Sequence, residues 1–490
     1  MERTDTAERS AHRVLMISAG MRRPKKQGNP FAACHRYLNY GLLGLATRLA
    51  KLGHEPRVFH GHFEEPERFV RGLDEAGWLH TRAPVFLSIP SSYALDWAAA
   101  ACREIRRRAP AARIVIGGRW VVAQDGAWIR RHIPEANLVV YGLADELLEQ
   151  IMRPASWRLM PNNDLSEVPA SPETAAGVLS ELDYRLLDGY DDFTPSFEVS
   201  RGCGRGCKFC AEAGIKLSNM KCPQALASEI AACQQVYGRR DIRAFFEASM
   251  FMPSADWGNQ LRRAFDDRGI DLHWRTETRV DHLSPERVKA LAGAGLRVLD
   301  LGLESASPRQ LQRMSKTQNT PAYLRKASDL LRACHDEGIW AKVNVLLYPG
   351  EDDSTVAETR AWLDEHARYI KGVSAGPMIL YRYGDTTADS LREMKSHGAT
   401  AVDEAALDRT GFTDLHLSKA MNHARSEQIA RDISRSLMSA RDYFDLKSFS
   451  YFQPALGFDR FMDIARKAAP DELPFSVNED VWVSEEVLAA

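Results

Sequence analysis

Short apolar runs alternate with segments of helical apolar spacing along most of this chain, in two series separated by a stretch rich in proline and asparagine. Val14, Leu15, Met16 and Ile17 form a run that ends in the turn Ser18-Ala19-Gly20, the pattern of a strand buried within a parallel sheet. Residues 42–52 then repeat apolar side chains at helical spacing and stop at Gly53. Further strands are predicted at 56–60, 85–89, 113–116 and 138–141, with a helix at 95–108. Strands separated by helices imply a doubly wound, Rossmann-like sheet over residues 1–150. Such sheets bind ligands beyond the carboxyl ends of their strands, here in the loops that begin at Ser18, Ser88, Gly117 and Tyr141.

Residues 151–190 carry Pro154, Pro161, Asn162, Asn163, Pro169 and Pro172 with weak periodicity, which marks a linker. The second series has strands at 196–200, 242–247, 271–277, 297–302, 341–347 and 372–380. Helical stretches lie between them at 223–236, 253–267, 285–293, 321–337 and 355–369. Six strand–helix units over residues 191–385 predict a partial version of the parallel barrel, with chemistry at the strand carboxyl ends. After Asp385 the strand signals fade, and residues 386–490 read as mainly helical, with stretches at 404–407 and 418–444 and an acidic end from Asn478. This last region is expected to close over the barrel mouth and select substrate.

The 490 residues exceed one compact core, and 44% hydrophobic with 27% charged residues is ordinary for a soluble globular protein. A net charge of -2 gives no basic excess for a nucleic-acid or membrane partner, so a small molecule or a peptide is the expected substrate. Residues 1–12 are polar and charged, and no apolar stretch reaches membrane-spanning length, which predicts a cytoplasmic protein. Eight cysteines in so long a chain make no disulfide framework, and three of them crowd into one short segment.

That segment runs Glu198-Val199-Ser200-Arg201-Gly202-Cys203-Gly204-Arg205-Gly206-Cys207-Lys208-Phe209-Cys210, with the cysteines spaced C-x3-C-x2-C just after a strand. Glycines 202, 204 and 206 would let the loop curl so that three thiolates converge, and would free backbone N–H groups for cluster sulfurs. Three thiolates on a four-iron, four-sulfur cluster leave one iron without a protein ligand, where a cosubstrate can bind. The competing reading is a structural zinc site in a non-enzymatic binding module, which wants four ligands in paired short spacings. No fourth Cys or His sits at such a spacing: Cys222 is distant, and the nearest downstream histidine is His273.

These residues resemble the signature of the radical S-adenosylmethionine (SAM) superfamily, in which an aromatic residue precedes the last cysteine, a place filled here by Phe209. The resemblance implies a [4Fe-4S] cluster on Cys203, Cys207 and Cys210 whose open iron chelates SAM and splits it to a 5'-deoxyadenosyl radical. It implies an external electron donor such as flavodoxin or ferredoxin. The segment 299–305 is similar to the family's fourth strand, making Glu304 and Ser305 candidate SAM contacts, and 276–281 to its third, with Arg279 facing the SAM carboxylate. Tyr348-Pro349-Gly350-Glu351-Asp352 resembles the loop after the fifth strand. Glu247 stands where many members place a glutamate for the SAM amino group, although no glycine pair precedes it.

The first series together with the barrel resembles the cobalamin-binding subgroup of this superfamily. The resemblance rests on residues 39–46, Gly53-His54, residues 88–92, Ile116-Gly117-Gly118 and residues 141–146. It implies cobalamin contacts at Ser88, Ser91, Ser92, Gly117, Gly118 and Gly142, with no D-x-H-x-x-G histidine to ligate cobalt. The implied activity is a cobalamin-dependent methyltransferase acting on an unactivated carbon. Its alternative is a rearrangement, cyclisation or oxidation on the same scaffold. The basic loop Arg22-Arg23-Pro24-Lys25-Lys26 could meet a nucleotide phosphate or be a solvated charge run. No cysteine follows Cys334, so no auxiliary cluster is expected in the last region.

Overall fold

The computed structural model describes residues 12–25, 29–159, 165–168 and 179–477. Lys26 of the basic loop, the linker residues Pro161, Asn162, Asn163, Pro169 and Pro172, and the acidic end from Asn478 lie outside them. Two compact units emerge: the described residues of Met1–Lys25, Asn39–Tyr190 and Arg382–Gly384 form one, and those of Lys26–Leu38, Asp191–Tyr381 and Asp385–Ala490 the other.

The first unit runs β1 (Arg13–Ser18), α1 (Tyr40–Lys51), β2 (Glu55–His60), α2 (Pro66–Glu75), β3 (Val85–Ser88), α3 (Leu95–Arg108), β4 (Ile114–Gly117), α4 (Gly126–His132) and β5 (Leu138–Val139). It continues with α5 (Leu148–Ile151), β6 (Arg158–Leu159) and β7 (Ser166–Glu167). The sheet order is β2-β1-β3-β4-β5-β7-β6, parallel throughout except for the β6–β7 pair. Strand order reverses between β1 and β3, the switch point where open α/β sheets take ligands. Val14 to Ile17 are fully buried, as a run covered on both faces requires, and Trp97 and Trp128 fill the helix layers.

The expected linker is in part a working piece of this unit. The β7 pair joins the sheet, the Asp188 amide donates to the Val58 carbonyl at 2.9 Å, and the Asp183 amide donates to Thr47 Oγ1 at 2.9 Å. Gly44 has no Cβ because Ser180 occupies its place, 2.6 Å from where that atom would sit.

The second unit runs β8 (Ser196–Glu198), α6 (Pro223–Tyr237), β9 (Ile242–Glu247), α7 (Ala255–Asp266), β10 (Leu272–Arg279), α8 (Pro285–Gly293) and β11 (Leu296–Glu304). Next come α9 (Pro308–Arg313), α10 (Thr320–Asp336), β12 (Trp340–Leu347), α11 (Asp353–Glu365) and β13 (Gly372–Pro377). These strands pair in parallel in strict sequence order, β13-β12-β11-β10-β9-β8, which is the expected partial barrel. Trp274 of β10 turns to the helix side and stacks on Phe246, with ring centroids 4.3 Å apart, while alternate residues Arg275, Glu277 and Arg279 occupy the other face. Arg275 is fully buried and grips Asp300 through both nitrogens of its fork, at 2.5 and 2.8 Å, and Lys342 reaches the same carboxylate at 2.9 Å.

The strand expected at 372–380 ends at Pro377, and Ile379–Tyr381 forms a separate strand, β14. The region after Asp385 is mainly helical, as expected, with two short strands: α12 (Thr387–Ser396), β15 (Thr400–Ala401), α13 (Ala406–Thr410), β16 (Phe412–His416), α14 (His423–Ser436), α15 (Ala440–Ser448) and α16 (Phe458–Ala465). The three strands form an antiparallel sheet in the order β14-β16-β15. The helical stretch expected over 418–444 holds two helices, because Ser439 and Asp442 close a capping box that starts α15 afresh.

The first unit differs from the expected 1–150, since it runs on to Tyr190 and residues 29–38 belong to the second unit. Phe31 is fully buried there among Tyr443, Phe452, Phe461 and Phe475, its ring 4.2 Å from that of Phe461. Among the described residues no helix is long and apolar enough to cross a membrane.

Candidate active site

β8 ends at Glu198, and the chain leaves the sheet in a loop that folds back on itself. Arg201 returns both ends of its fork to the buried Glu198 carboxylate, at 2.6 and 2.9 Å. The amides of Cys203 and Gly204 both donate to the Ile215 carbonyl, at 3.1 and 2.8 Å, and Gly214 donates to Arg205 at 3.0 Å. Gly202 and Gly204 have φ of 69 and 68°. A Cβ on Gly202 would lie 2.2 Å from the Lys216 carbonyl oxygen, so both space and dihedral demand glycine there. Gly206 needs neither: its φ is not positive and nothing stands within 4 Å of a Cβ built on it.

Two of the three thiols receive an N–H from the protein. The Glu212 amide donates to Cys210 Sγ at 3.4 Å and Arg279 Nη1 donates to Cys207 Sγ at 3.4 Å, while the Arg205 amide acts to lower the Cys203 pKa. Burial pushes the Cys203 and Cys210 thiols up in pKa, and these amides pull them part of the way back. Among the described residues no three His, Cys, Asp or Glu side chains close on a single-ion site. Three free cysteines, two of them with sulfur hydrogen bonds already in place, suit a polynuclear cluster, where each thiolate takes its own iron.

Beside them Arg279 spends the rest of its guanidinium on Asp281, at 2.9 and 3.2 Å, and on the Lys316 carbonyl at 2.7 Å. Lys316 Nζ in turn pairs with Glu304 Oε1 at 3.0 Å and lies 5.6 Å from the centre of the Phe209 ring. Glu304 and the neighbour of Lys316, Ser315, adopt φ of 65 and 53°, a left-handed conformation that costs a non-glycine residue energy and often marks a functional clamp. Gly302 leaves room for the pair, since a Cβ there would stand 2.7 Å from Glu304 Oε1. Lys316 escaped the sequence reading, because no local motif announces a lysine whose partner is brought to it by two strained turns.

The remaining SAM candidates divide. Ser305 is turned away into the fold: its hydroxyl pairs with Thr359 Oγ1 at 3.0 Å and accepts the Ser307 amide at 3.0 Å. Glu247 keeps part of its surface open, and Ser196 donates to its Oε1 at 2.8 Å. Burial pushes its pKa up to about 8, and the charges of Glu277 and Glu198 act the same way against that single hydrogen bond.

In the first unit, Asn39 Nδ2 donates to Ser18 Oγ and Ser88 Oγ, each at 3.0 Å, tying together the carboxyl ends of β1 and β3. Ser91 is partly exposed, while Ser92 is buried with an unpartnered hydroxyl. Gly118, at φ 108°, packs so closely on Ile89 that a Cβ would lie 2.6 Å from its carbonyl oxygen, so its glycine serves the fold. Gly117 and Gly142 are less crowded: a Cβ on Gly117 would meet Val140 at 3.6 Å, and one on Gly142 would meet nothing within 4 Å. Two further buried donors beyond the strand ends, Trp120 Nε1 and Tyr141 OH, also lack partners. Of the basic loop, Arg22 pairs with Glu65 at 2.9 Å on the surface.

Residues 197–363 match the family model described as the radical SAM superfamily, so this chain carries a radical SAM domain across the cysteine loop and most of the barrel. The pairing of that domain with a doubly wound unit is the fold of cobalamin-dependent radical SAM enzymes. One solved structure similar to it is the radical SAM methyltransferase TsrM from Kitasatospora setae, with tryptophan substrate and a SAM analogue bound. The TM-score is 0.62 at 18% identity, covering 80% of this chain and 78% of that one. The cobalamin-dependent SAM radical enzyme OxsB, with aqua-cobalamin and SAM bound, matches with a TM-score of 0.57 at 12% identity, over 79% of this chain and 56% of that one. Among curated proteins, the ribosomal protein uS12 methylthiotransferase RimO of Acidothermus cellulolyticus is 24% identical over 335 residues, 61% of this chain and 68% of its own length.

Proposed function

We propose that this chain is a cobalamin-dependent radical SAM methyltransferase that methylates an unactivated carbon of a small-molecule or peptide substrate. The observation that carries the reading is the C-x3-C-x2-C loop at a barrel strand end, in which Cys207 and Cys210 already accept hydrogen bonds from protein N–H groups. When bound, the cluster supplies the electron that splits SAM, and cobalamin carries the methyl group. Cys203, Cys207 and Cys210 hold the cluster and leave one iron open. Arg279 fixes the orientation of Cys207 while positioning Lys316. Lys316, Glu304 and Phe209 surround the cosubstrate, and Glu247 meets its amino group, an approaching cation drawing that raised pKa back down. Unpartnered polar atoms beyond the strand ends of the first unit support cobalamin there, since buried donors are ordinarily satisfied.

Anaerobic reconstitution with methyl-labelled SAM and candidate substrates tests this. Label in the product together with 5'-deoxyadenosine is the expected result, and turnover without label would rule methyl transfer out. The likeness to OxsB keeps one second reading in view, a cobalamin-dependent radical reaction without methyl transfer, which that second outcome would favour.

A further inference from the structure

In a folded protein nearly every buried polar side chain finds a hydrogen-bond partner, because leaving one unmade costs about 1–3 kcal/mol. The first unit breaks this rule along one edge of its sheet. Ser92 follows β3 by four residues, Trp120 follows β4 by three and Tyr141 follows β5 by two. The hydroxyl of Ser92, the indole N–H of Trp120 and the phenol of Tyr141 are all inaccessible, and none has a partner among the described residues. Ser92 is 3% exposed and Trp120 8%. The three strands are adjacent in the sheet, with Ser88 in register with Gly117 and Ile116 with Val139, so the three loops leave side by side.

All three can donate a hydrogen bond. An indole N–H can only donate, and burial pushes the Tyr141 phenol up to about 12, which keeps its proton in place. Gly118 allows the β4 loop to lie directly against Ile89, and a side chain there would clash with that backbone. This close approach holds the Ser92 and Trp120 loops in fixed relation.

We infer that Ser92, Trp120 and Tyr141 supply hydrogen-bond donors to acceptor oxygens of cobalamin once the cofactor displaces what covers them, and that the cofactor-free protein carries them unsatisfied. The inference rests on the cobalamin reading above and adds two residues, Trp120 and Tyr141, to the contacts that the resemblance implies. Two kinds of acceptor in cobalamin fit, the amide carbonyls around the corrin ring and the phosphodiester of its nucleotide tail.

A donor waiting for a ligand differs in a measurable way from a donor that merely serves the fold. Removing it should leave the thermal midpoint of the cofactor-free chain unchanged or raised, since an unsatisfied buried group disappears, while cobalamin affinity falls. The experiment measures hydroxocobalamin binding by absorbance, and the cofactor-free melting midpoint, for the full-length chain and its Ser92→Ala, Trp120→Phe and Tyr141→Phe variants. Each variant is expected to bind about 3–10-fold more weakly, the equivalent of one neutral hydrogen bond. Repeating the titrations with cobinamide, which lacks the nucleotide tail, assigns the acceptor. Weakening that persists points to ring amides, and weakening that vanishes points to the phosphodiester. Wild-type affinity in all three variants, with the parent binding normally, would overturn the inference alone. A parent chain that takes up no cobalamin would overturn both it and the cobalamin reading. Should Trp120→Phe fail to fold, Tyr141→Phe, which removes a single oxygen, decides.

Discussion

Arg279 Nη1 donates to the sulfur of Cys207 at 3.4 Å while Nη2 of the same guanidinium holds the Lys316 carbonyl at 2.7 Å. One rigid fork therefore ties the metal loop to the segment that carries the buried lysine. Lysine cannot reproduce two divergent, planar donors from one position. Arg279→Lys should keep the fold but lower 5'-deoxyadenosine formation about 10–100-fold, the usual cost of losing a group that orients a metal ligand. The cluster's reduction potential should shift negative as a sulfur hydrogen bond is lost. Titration of the reduced cluster by electron paramagnetic resonance checks the shift, and an unchanged potential would remove the assigned role.

The Lys316–Glu304 pair is buried, with 4% and 13% of the side chains exposed. Breaking such a pair from one side strands a charge, at a cost of about 3–5 kcal/mol. Lys316→Met should lose that much in urea unfolding, and Lys316→Met with Glu304→Gln should recover most of it. Equal losses in the single and double variants would show that the two residues do not act together.

Gly202 and Gly206 occupy the same loop under opposite constraints. Gly202→Ala would drive a methyl group to 2.2 Å from a backbone oxygen at φ 69°, so iron and sulfide content after reconstitution should fall sharply. Gly206→Ala meets nothing within 4 Å and should reconstitute like the parent. A full cluster in the Gly202 variant would contradict the loop geometry.

These predictions sit on parts of the molecule that were unequally legible in the sequence. Val14 to Ile17 read as a buried strand because four consecutive apolar residues leave little alternative, and the strand found is Arg13–Ser18. The cysteine loop was equally plain, because its chemistry is local. β16 (Phe412–His416) was missed: it alternates partly buried and buried residues over five positions and offers no apolar run. Phe31 joins an aromatic core built more than 400 positions later, a pairing that no window of neighbouring residues can show. Lys316 was invisible for a related reason, since Glu304 becomes its neighbour only through the left-handed backbone at Glu304 and Ser315. Ser439-x-x-Asp442 is a local signal in the sequence, a capping box that marks where the second helix of the 418–444 stretch begins.

Glu247 gives the fold a pH dependence of known sign. Its carboxyl is raised from 4.5 to about 8, so the folded chain holds the proton more tightly than the unfolded chain. The stability from this group is present in full below the unfolded value and is lost as pH rises through about 8. Glu247→Gln should therefore flatten the decline in urea midpoint between about pH 5 and pH 8 relative to the parent. Parallel pH profiles for the two proteins would show that Glu247 titrates normally.

The most direct test of the whole account changes Cys203, Cys207 and Cys210 to alanine one at a time in the full-length chain and reconstitutes each without oxygen. Iron, sulfide and 5'-deoxyadenosine released from SAM are then measured together. All three variants should lose the intact cluster and nucleoside release, because each thiolate holds its own iron. Any single variant that keeps parental cluster content and parental nucleoside release would contradict the account.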